Sequence, residues 1–547
     1  MARGRVGSGP APPPPAVLRP VALFWLLVGC VALGSALRLA LGLLDQGWRD
    51  SPDQLAWQLL LNDGSFGLRY DRLAHYPHEG ESPVFGLLAL VFGREPPWMP
   101  PLSWAGLLLD TLGRAGWLWA AWRLFGQRAA LAFGVLSVAA VPLLLPWATT
   151  TFGMHAQSAF WPLVMLAALR DVTPTLRAAA AAGALYGVAL GWSYDSVVLA
   201  PVVVWLALAA PGGRSGRGVA FVAGCVAGLL PHIALRLFAD VGFDLAAVPA
   251  VPAVPAVPAV PAVATAIAGA VPAAASSAAL SIRGESMVWP GLATLASNAA
   301  AAATSLLPRS LHFGAVGPLS GLLLGRIWWS LVVVGVVVAA REPSRRRAVV
   351  MVVATFLLWI GAWIASPFFP GADAPATIVG FRHVAFILPL VMCLAVAGAA
   401  RPGGRFVAAA LVVLSLAGAA QALHEASPRP TPRWLEAGWV VAAKVGADPR
   451  RVVSTLAAAP LDAQPALARG VGWGLASHLL PRAQPTDSAT AGATLGQLRT
   501  LVAAMPASLC ADVEKGVFTA FEPGRTPPLD PAWRVMLDKG GRLCRHP

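Results

Sequence analysis

Residues 45–93 read DQGWRDSPDQLAWQLLLNDGSFGLRYDRLAHYPHEGESPVFGLLALVFG, a polar interval set between stretches too apolar to live in water. Carboxylates, histidines and aromatics crowd into it, while the flanking segments 21–44 and 102–125 are long apolar runs whose charges are Arg38 in the first and Asp110, Arg114 and Arg123 in the second. A polar loop framed in this way implies membrane-spanning helices on both sides and chemistry between them.

The rest of the chain agrees. Of 547 residues, 57% are hydrophobic and 12% charged; soluble globular chains carry about 25% charged residues. Apolar runs of about 20 residues recur along the sequence, which makes this a polytopic, all-α membrane protein. Candidate spans are 21–44, 102–125, 128–148, 155–170, 177–191, 196–211, 218–238, 319–341, 348–366, 384–400 and 406–423, about eleven crossings.

The formal net charge is +14. Its distribution excludes a nucleic-acid partner, because the arginines gather in short connectors between spans: Arg123 and Arg128, Arg170 and Arg177, Arg214 and Arg217, Arg341 with Arg345 to Arg347, and Arg401 with Arg405. That is the positive-inside signature of cytoplasmic loops. With the N-terminus inside, every one of these clusters falls on the cytoplasmic side. Loops 45–101, 239–318 and 367–383 and the C-terminal region then lie outside.

The first twenty residues, basic and Pro-rich, read as a disordered cytoplasmic segment. The apolar run behind them is too long for a signal-peptide core and reads as a retained helix. Ala247–Ala262 repeats the triplet Ala-Val-Pro, which forbids a regular α-helix and favours a polyproline II spacer. Residues 263–308 are Ala-rich and suit interfacial or partly inserted helices. From His424 to Pro547 the chain turns more polar, with helical patterns such as RWLEAGWVVAAKV and ATLGQLRTLVAAM, and reads as a small extracytoplasmic helical region. Cys510 and Cys544 lie there and can pair on an oxidising face; Cys30, Cys225 and Cys393 sit in apolar runs as small buried side chains.

In the first loop, Ser51-Pro52 marks a helix start, with Asp53 in the first turn where the helix dipole favours a carboxylate. That helix runs to about Asn62 with leucines on one side and Gly64 as its stop; Pro83–Phe92 forms a second, interfacial helix too short to span. Asp50, Asp53, Glu79 and Glu81 are candidates for a general base or for holding a divalent ion, Mg2+ or Mn2+, which the chemistry permits without requiring. His155, Asp195, His232, Arg236, Arg382 and His383 fall on the same outer face once the arginine clusters fix the orientation. Carboxylate with arginine and histidine suits a phosphate-linked donor, since a base activates the acceptor and cations neutralise the departing phosphate. Within the membrane, Asp110 and Arg114 lie four residues apart on one helix face, and Arg38 stands near the outer end of the first span. Asp110 and Arg114 read either as a structural ion pair or as part of a transport pathway, and Arg38 as a side chain that can snorkel toward the interface.

This order of parts resembles the GT-C glycosyltransferases, membrane enzymes that use polyprenyl-phosphate-linked sugars. In that family a catalytic aspartate opens the first of two juxtamembrane helices in the first outer loop. DSPDQLAWQLLLNDG (residues 50–64) matches that pattern with Asp53 at the aspartate and Gln54 where a glutamate is usual. HYPHEGESPVFGLL (75–88) resembles the His-Pro stretch before the second helix, with His78-Glu79 at its centre. GVALGWSYDSVVLAPVVVWLAL (187–208) is similar to the family's Gly-rich hairpin, and GFRHVAFILPLVM (380–392) to its late Arg-Tyr motif, with His383 in place of Tyr.

The resemblance spans about residues 20–425 and implies a GT-C-like bundle that transfers a sugar from a polyprenyl-phosphate-linked donor to a lipid, glycan or protein acceptor. It assigns Asp53 as base with Asp50 in reserve, His78 and Glu79 to the acceptor or metal site, and Arg382 with His383 to the donor phosphate. His155 and Asp195 complete the substrate-binding set. A transporter or lipid flippase using Asp110 and Arg114, and a non-catalytic GT-C-like scaffold, are the alternative readings. The expected location is the inner (plasma) membrane, among membrane lipids.

Overall fold

A computed structural model describes residues 19–44, 55–56, 59, 101–139, 144–148, 159–170, 175–208, 214–240, 281–282, 285–286, 291–309, 318–366, 369, 384–425, 434–445, 448–480, 488–522 and 529–544. Apart from a two-residue strand pair, Ser281–Ile282 with Glu285–Ser286, its regular structure is helical. The first part of the chain forms α1 (Pro20–Leu44), α2 (Pro101–Phe125), α3 (Gln127–Ala139), α4 (Leu144–Trp147), α5 (Phe160–Leu169), α6 (Leu176–Trp192), α7 (Ala200–Leu208) and α8 (Arg214–Asp240). Then come α9 (Leu292–Ala301), α10 (Pro318–Ala340), α11 (Pro343–Ala365), α12 (Leu388–Val396) and α13 (Pro402–Glu425).

Among the described residues, four helices are individually long and apolar enough to cross a membrane: Pro20–Leu44, Leu322–Ala340, Pro343–Ala365 and Pro402–His424. Their flanks expose Phe24, Trp25, Leu33, Val333, Phe406 and Val413, as lipid-facing surfaces do. The protein is a multi-pass helical membrane protein. Of the expected span 128–148, α3 covers residues up to Ala139 and α4 covers Leu144–Trp147, and 140–143 fall outside the described residues. Residues 196–211 begin in a 3-10 helix, Tyr194–Leu199, that passes into α7. The α12 segment is buried along its whole length, from Leu388 to Val396, and forms the axis of the bundle.

Helices in lipid gain little from burying apolar groups, so they depend on close van der Waals packing. The tightest case is the parallel pair α6 and α8. A Cβ on Gly183 would lie 1.9 Å from Phe221 O, and one on Gly187 2.1 Å from Cys225 O. In return, Gly224 meets Ala180 O at 2.0 Å and Gly228 meets Ala184 O at 2.1 Å. The two Gly-x3-Gly ridges therefore bring backbone against backbone, and no side chain fits between. Gly187→Val should force these helices apart and destabilise the protein by about 1–3 kcal/mol or more, read as a fall in thermal unfolding temperature in detergent; an unchanged midpoint would contradict the packing.

The Ala-rich stretch acquires definite structure in α9, which continues through a π turn (Ala302–Leu306) to Arg309. It is tied to α10 and α11 by Trp329 Nε1 donating to Leu307 O (2.9 Å) and Asn298 Nδ2 donating to Ile364 O (3.0 Å).

The C-terminal region forms α14 (Trp434–Val445), α15 (Pro449–Ala457), α16 (Gln464–Leu479), α17 (Ser488–Ala503), α18 (Ala507–Thr519) and α19 (Pro531–Lys539). Asp448-Pro449 and Asp530-Pro531 each supply a capping carboxylate followed by proline in the first turn. Helix α16 is central. Gly438 of α14 packs on Leu467 O, Gly470 on Leu435 O, Gly472 on Val513 O and Gly516 on Arg469 O, each with only 1.9–2.1 Å of room for a Cβ. Cys510 and Cys544 form a disulfide with a sequence separation of 34 and a Cα–Cα distance of 5.8 Å. Closing a loop of that length is worth about 3–4 kcal/mol in chain entropy. Cys510→Ser should lower the unfolding midpoint of this region, and reductant should then shift the wild type but not the variant.

This helical region has its own apolar core, and the core does not stop at its boundary. Ala56 and Leu59 of the first loop and Ala105 of α2 are buried in it, with Leu55, Leu109 and Trp192 packed against it. Trp192 also packs against the core of the membrane bundle. The end of the bundle that carries Ala105, Leu109 and Trp192 thus forms one packed unit with Leu55, Ala56, Leu59 and the C-terminal helices.

Candidate functional site

The bundle has two chemically different ends. At one, Arg170 donates to the carbonyls of Arg123 and Leu124 (3.0 Å to the latter), Arg128 to Ala400 O (3.4 Å), Arg345 to Ala397 O and Arg401 to Arg341 O (3.5 Å). These guanidiniums satisfy carbonyls that helix ends leave without partners, and their charge suits the negative end of the helix dipole. The clustering expected of the connector arginines is therefore physical, since residues from distant connectors meet at this basic end.

The other end meets the C-terminal helices. Asp50, Asp53, His78, Glu79, His155, Arg382 and His383 fall outside the described residues. His232 and Arg236 are described in α8 at the level of the backbone only. What the structure places is the chain on either side. Leu55, Ala56 and Leu59 follow Asp53 and are held in the C-terminal core. Ala159, four residues after His155, accepts a hydrogen bond from Trp117 Nε1 (3.2 Å). Val384 and Ala385, just after Arg382 and His383, are fully buried in the bundle.

Asp195 is described. It opens the 3-10 helix after α6, where Ser193 Oγ accepts a hydrogen bond from Asp195 N (3.3 Å). Its side chain is 8% exposed, and Ser196 beside it is fully buried. The Trp161 and Trp192 rings meet edge to face, with centroids 6.0 Å apart. Among the described residues, the buried indole N–H groups of Trp161 and Trp192 and the Ser196 hydroxyl have no hydrogen-bond partner. Reasoning from the sequence did not single out Trp161, Trp192 or Ser196. The available signal was a tryptophan three residues before the one buried carboxylate of the hairpin.

The intramembrane charges form a closed cluster. Asp110 Oδ2 accepts from Arg114 Nε (2.8 Å), and Arg38 Nε lies 3.0 Å from the same oxygen, a charge contact without a hydrogen-bond angle. Arg114 also donates to Val31 O (2.9 Å) and to Ser35 Oγ, whose hydroxyl meets Thr111 Oγ1 at 2.8 Å. Arg38 donates to Gly34 O (3.0 Å), Val138 O (3.1 Å) and Ser137 O (3.3 Å). Both arginines are fully buried, and a Cβ on Gly34 would lie 2.2 Å from an Arg114 nitrogen. The last two Arg38 contacts tie α1 to α3 through the backbone carbonyls of Val138 and Ser137, within the bundle, where backbone groups must be satisfied internally. The guanidinium groups are spent on the fold, which makes this a structural ion-pair cluster.

Among the described residues no three His, Cys, Asp or Glu side chains cluster as a metal site would require. The carboxylates considered for a divalent ion, Asp50, Asp53, Glu79 and Glu81, fall outside the described residues.

Compared with protein-family models and with curated proteins, the chain matches none. Among solved structures, it is similar to the oligosaccharyltransferase of Archaeoglobus fulgidus in its complex with Zn and sulfate, at 11% identity and a TM-score of 0.41, covering 76% of this chain and 55% of that one. It is also similar to ArnT from Cupriavidus metallidurans, in the apo state at 18% identity and bound to undecaprenyl phosphate at 17%, both with a TM-score of 0.40 and covering 92% of this chain and 76% of that one. The chain thus spans just over half the length of the archaeal protein.

Proposed function

We propose that the protein is an integral-membrane glycosyltransferase of GT-C-like architecture, transferring a sugar from a polyprenyl-phosphate donor to an acceptor at the outer face of the inner membrane. One observation carries the reading: the segment just after Asp53 is buried in the C-terminal core, which Trp192 joins to the membrane bundle three residues before Asp195. A catalytic aspartate on a loop needs such a rigid support if it is to hold a reactive geometry.

In the proposed reaction, Asp53 takes the proton of an acceptor hydroxyl, with Asp50 in reserve. The oxygen attacks the anomeric carbon, the bond from that carbon to the phosphate oxygen breaks, and polyprenyl phosphate leaves. Arg382, with His383, neutralises the departing phosphate. His78 and Glu79 shape the acceptor side, and His155 and Asp195 contact substrate. The orientation is N-terminus cytoplasmic and C-terminus extracytoplasmic. It is supported by the arginines gathered at one end and by a disulfide in the helical region packed at the other. The closed bonding of Arg38, Asp110 and Arg114 removes the feature on which a transport reading rests.

The test compares cell-envelope glycans and glycolipids from cells with and without the protein. Loss of one glycan modification, with accumulation of a polyprenyl-phosphate sugar, is the expected result. Identical glycan and lipid profiles would overturn the assignment.

A further inference from the structure

At the basic end, three arginines from three connectors converge on one turn. Arg128 in the first turn of α3 reaches Ala400 O, Arg345 in the first turn of α11 reaches Ala397 O, and Arg401 lies within the same turn between α12 and α13. Arg128 and Arg401 lie close enough to Arg345 for their charges to repel it. One carboxylate, Glu342, opposes them. Its Oε1 is 3.2 Å from Arg345 Nε, and its Oε2 is 4.0 Å from Arg401 Nε. The neighbours add further positive charge, since Arg341, Arg346, Arg347 and Arg405 are all exposed.

Like charges held together at this density are unfavourable unless an anion shares them. The three guanidiniums are not used up by the protein: among the described residues Arg128 Nε and Nη2, Arg345 Nη2 and Arg401 Nη1 carry no hydrogen bond, and none of them is a buried orphan. Five residues along the chain from Glu342, Arg345 and Arg401, Val337 on α10, Val350 on α11 and Phe406 on α13 are 45%, 56% and 72% exposed. The cationic cradle thus lies about one and a half helical turns from exposed apolar side chains on each of these three helices.

We propose that Arg128, Arg345 and Arg401 form a binding site for the phosphate headgroup of an anionic phospholipid, whose acyl chains lie along the wall formed by α10, α11 and α13. Guanidinium forks suit the phosphate oxygens, and a diester on two acyl chains matches both halves of the site where a free phosphate matches one. This site is separate from the proposed transfer chemistry and does not depend on it.

The experiment uses the full-length protein in neutral detergent, titrated with phosphatidylglycerol or phosphatidylcholine and read by native mass spectrometry. Phosphatidylglycerol should be retained about tenfold more than phosphatidylcholine or better, and Arg128→Gln/Arg401→Gln should abolish the difference, the contributions of two juxtamembrane arginines being of that size. Inorganic phosphate at millimolar concentration should not displace the lipid. Equal retention of both lipids, or undiminished preference in the double variant, would overturn the proposal; displacement by inorganic phosphate would overturn the lipid assignment in favour of a soluble anion. If the variant does not fold, the wild-type preference for phosphatidylglycerol at low and high salt decides: the proposal requires it to shrink as salt rises.

Discussion

Asp110→Ala should destabilise the protein by about 3–5 kcal/mol, because it removes the single carboxylate between two fully buried guanidiniums. Arg38 and Arg114 would then repel each other with no counter-charge, in surroundings that cannot hydrate them. The consequence would spread beyond the pair. Arg38 donates to the carbonyls of Ser137 and Val138 in α3, and Arg114 is fixed against Val31 O in α1, so α1, α2 and α3 would loosen together. Since α1 and α2 bracket the first loop, activity should fall with stability. The informative control is the all-apolar variant Arg38→Met/Asp110→Leu/Arg114→Met. Replacing a whole buried ionic cluster by hydrophobic residues is often neutral or stabilising, so folding should largely return, limited by the Ser137 and Val138 carbonyls that Arg38 no longer binds. Thermal unfolding in detergent checks both variants. A stable, fully folded Asp110→Ala protein would show that the cluster is not structural.

Asp53→Asn should lower the rate of sugar transfer by about 10²–10⁴-fold, the usual contribution of a general base, and leave folding intact. Asparagine preserves size and polarity but cannot take the acceptor proton. Donor binding should survive, because the groups assigned to the phosphate are Arg382 and His383. The loss should therefore appear in the turnover rate and not in the donor concentration needed for half-saturation. Asp50→Asn should have the smaller effect. If the two effects are reversed, Asp50 is the base and the helix-start argument picked the wrong aspartate.

Much of the bundle was legible because long apolar runs between charged connectors admit one interpretation in lipid. Helices α1, α2, α10, α11 and α13 begin and end within a few residues of where composition alone puts them. Asp110 and Arg114 were recognisable as a pair from their spacing of four. Arg38 was not recognisable as the third member, because its partners Ser137 and Val138 are about a hundred residues away and offer only backbone carbonyls. The burial of Ala56 and Leu59 among C-terminal helices is likewise a long-range fact, and two small apolar residues on an amphipathic helix read as membrane-facing until their partners are known. Of the candidate site, Asp195 could be followed from motif to position. Asp53, His78, Glu79, His155, Arg382 and His383 remain assignments from sequence, now framed by described anchors on adjoining chain.

The central claim is that this chain transfers a sugar from a polyprenyl phosphate. The most direct test incubates the purified wild-type protein in nanodiscs with polyprenyl-phosphate sugars and an extract of cell-envelope acceptors, and follows free polyprenyl phosphate by mass spectrometry. The account predicts that polyprenyl phosphate accumulates with time only when acceptor is present, together with an equal amount of glycosylated acceptor, and that Asp53→Asn suppresses both. A folded wild-type protein that binds the donor yet never releases polyprenyl phosphate with any acceptor fraction would contradict it and leave a membrane scaffold in its place.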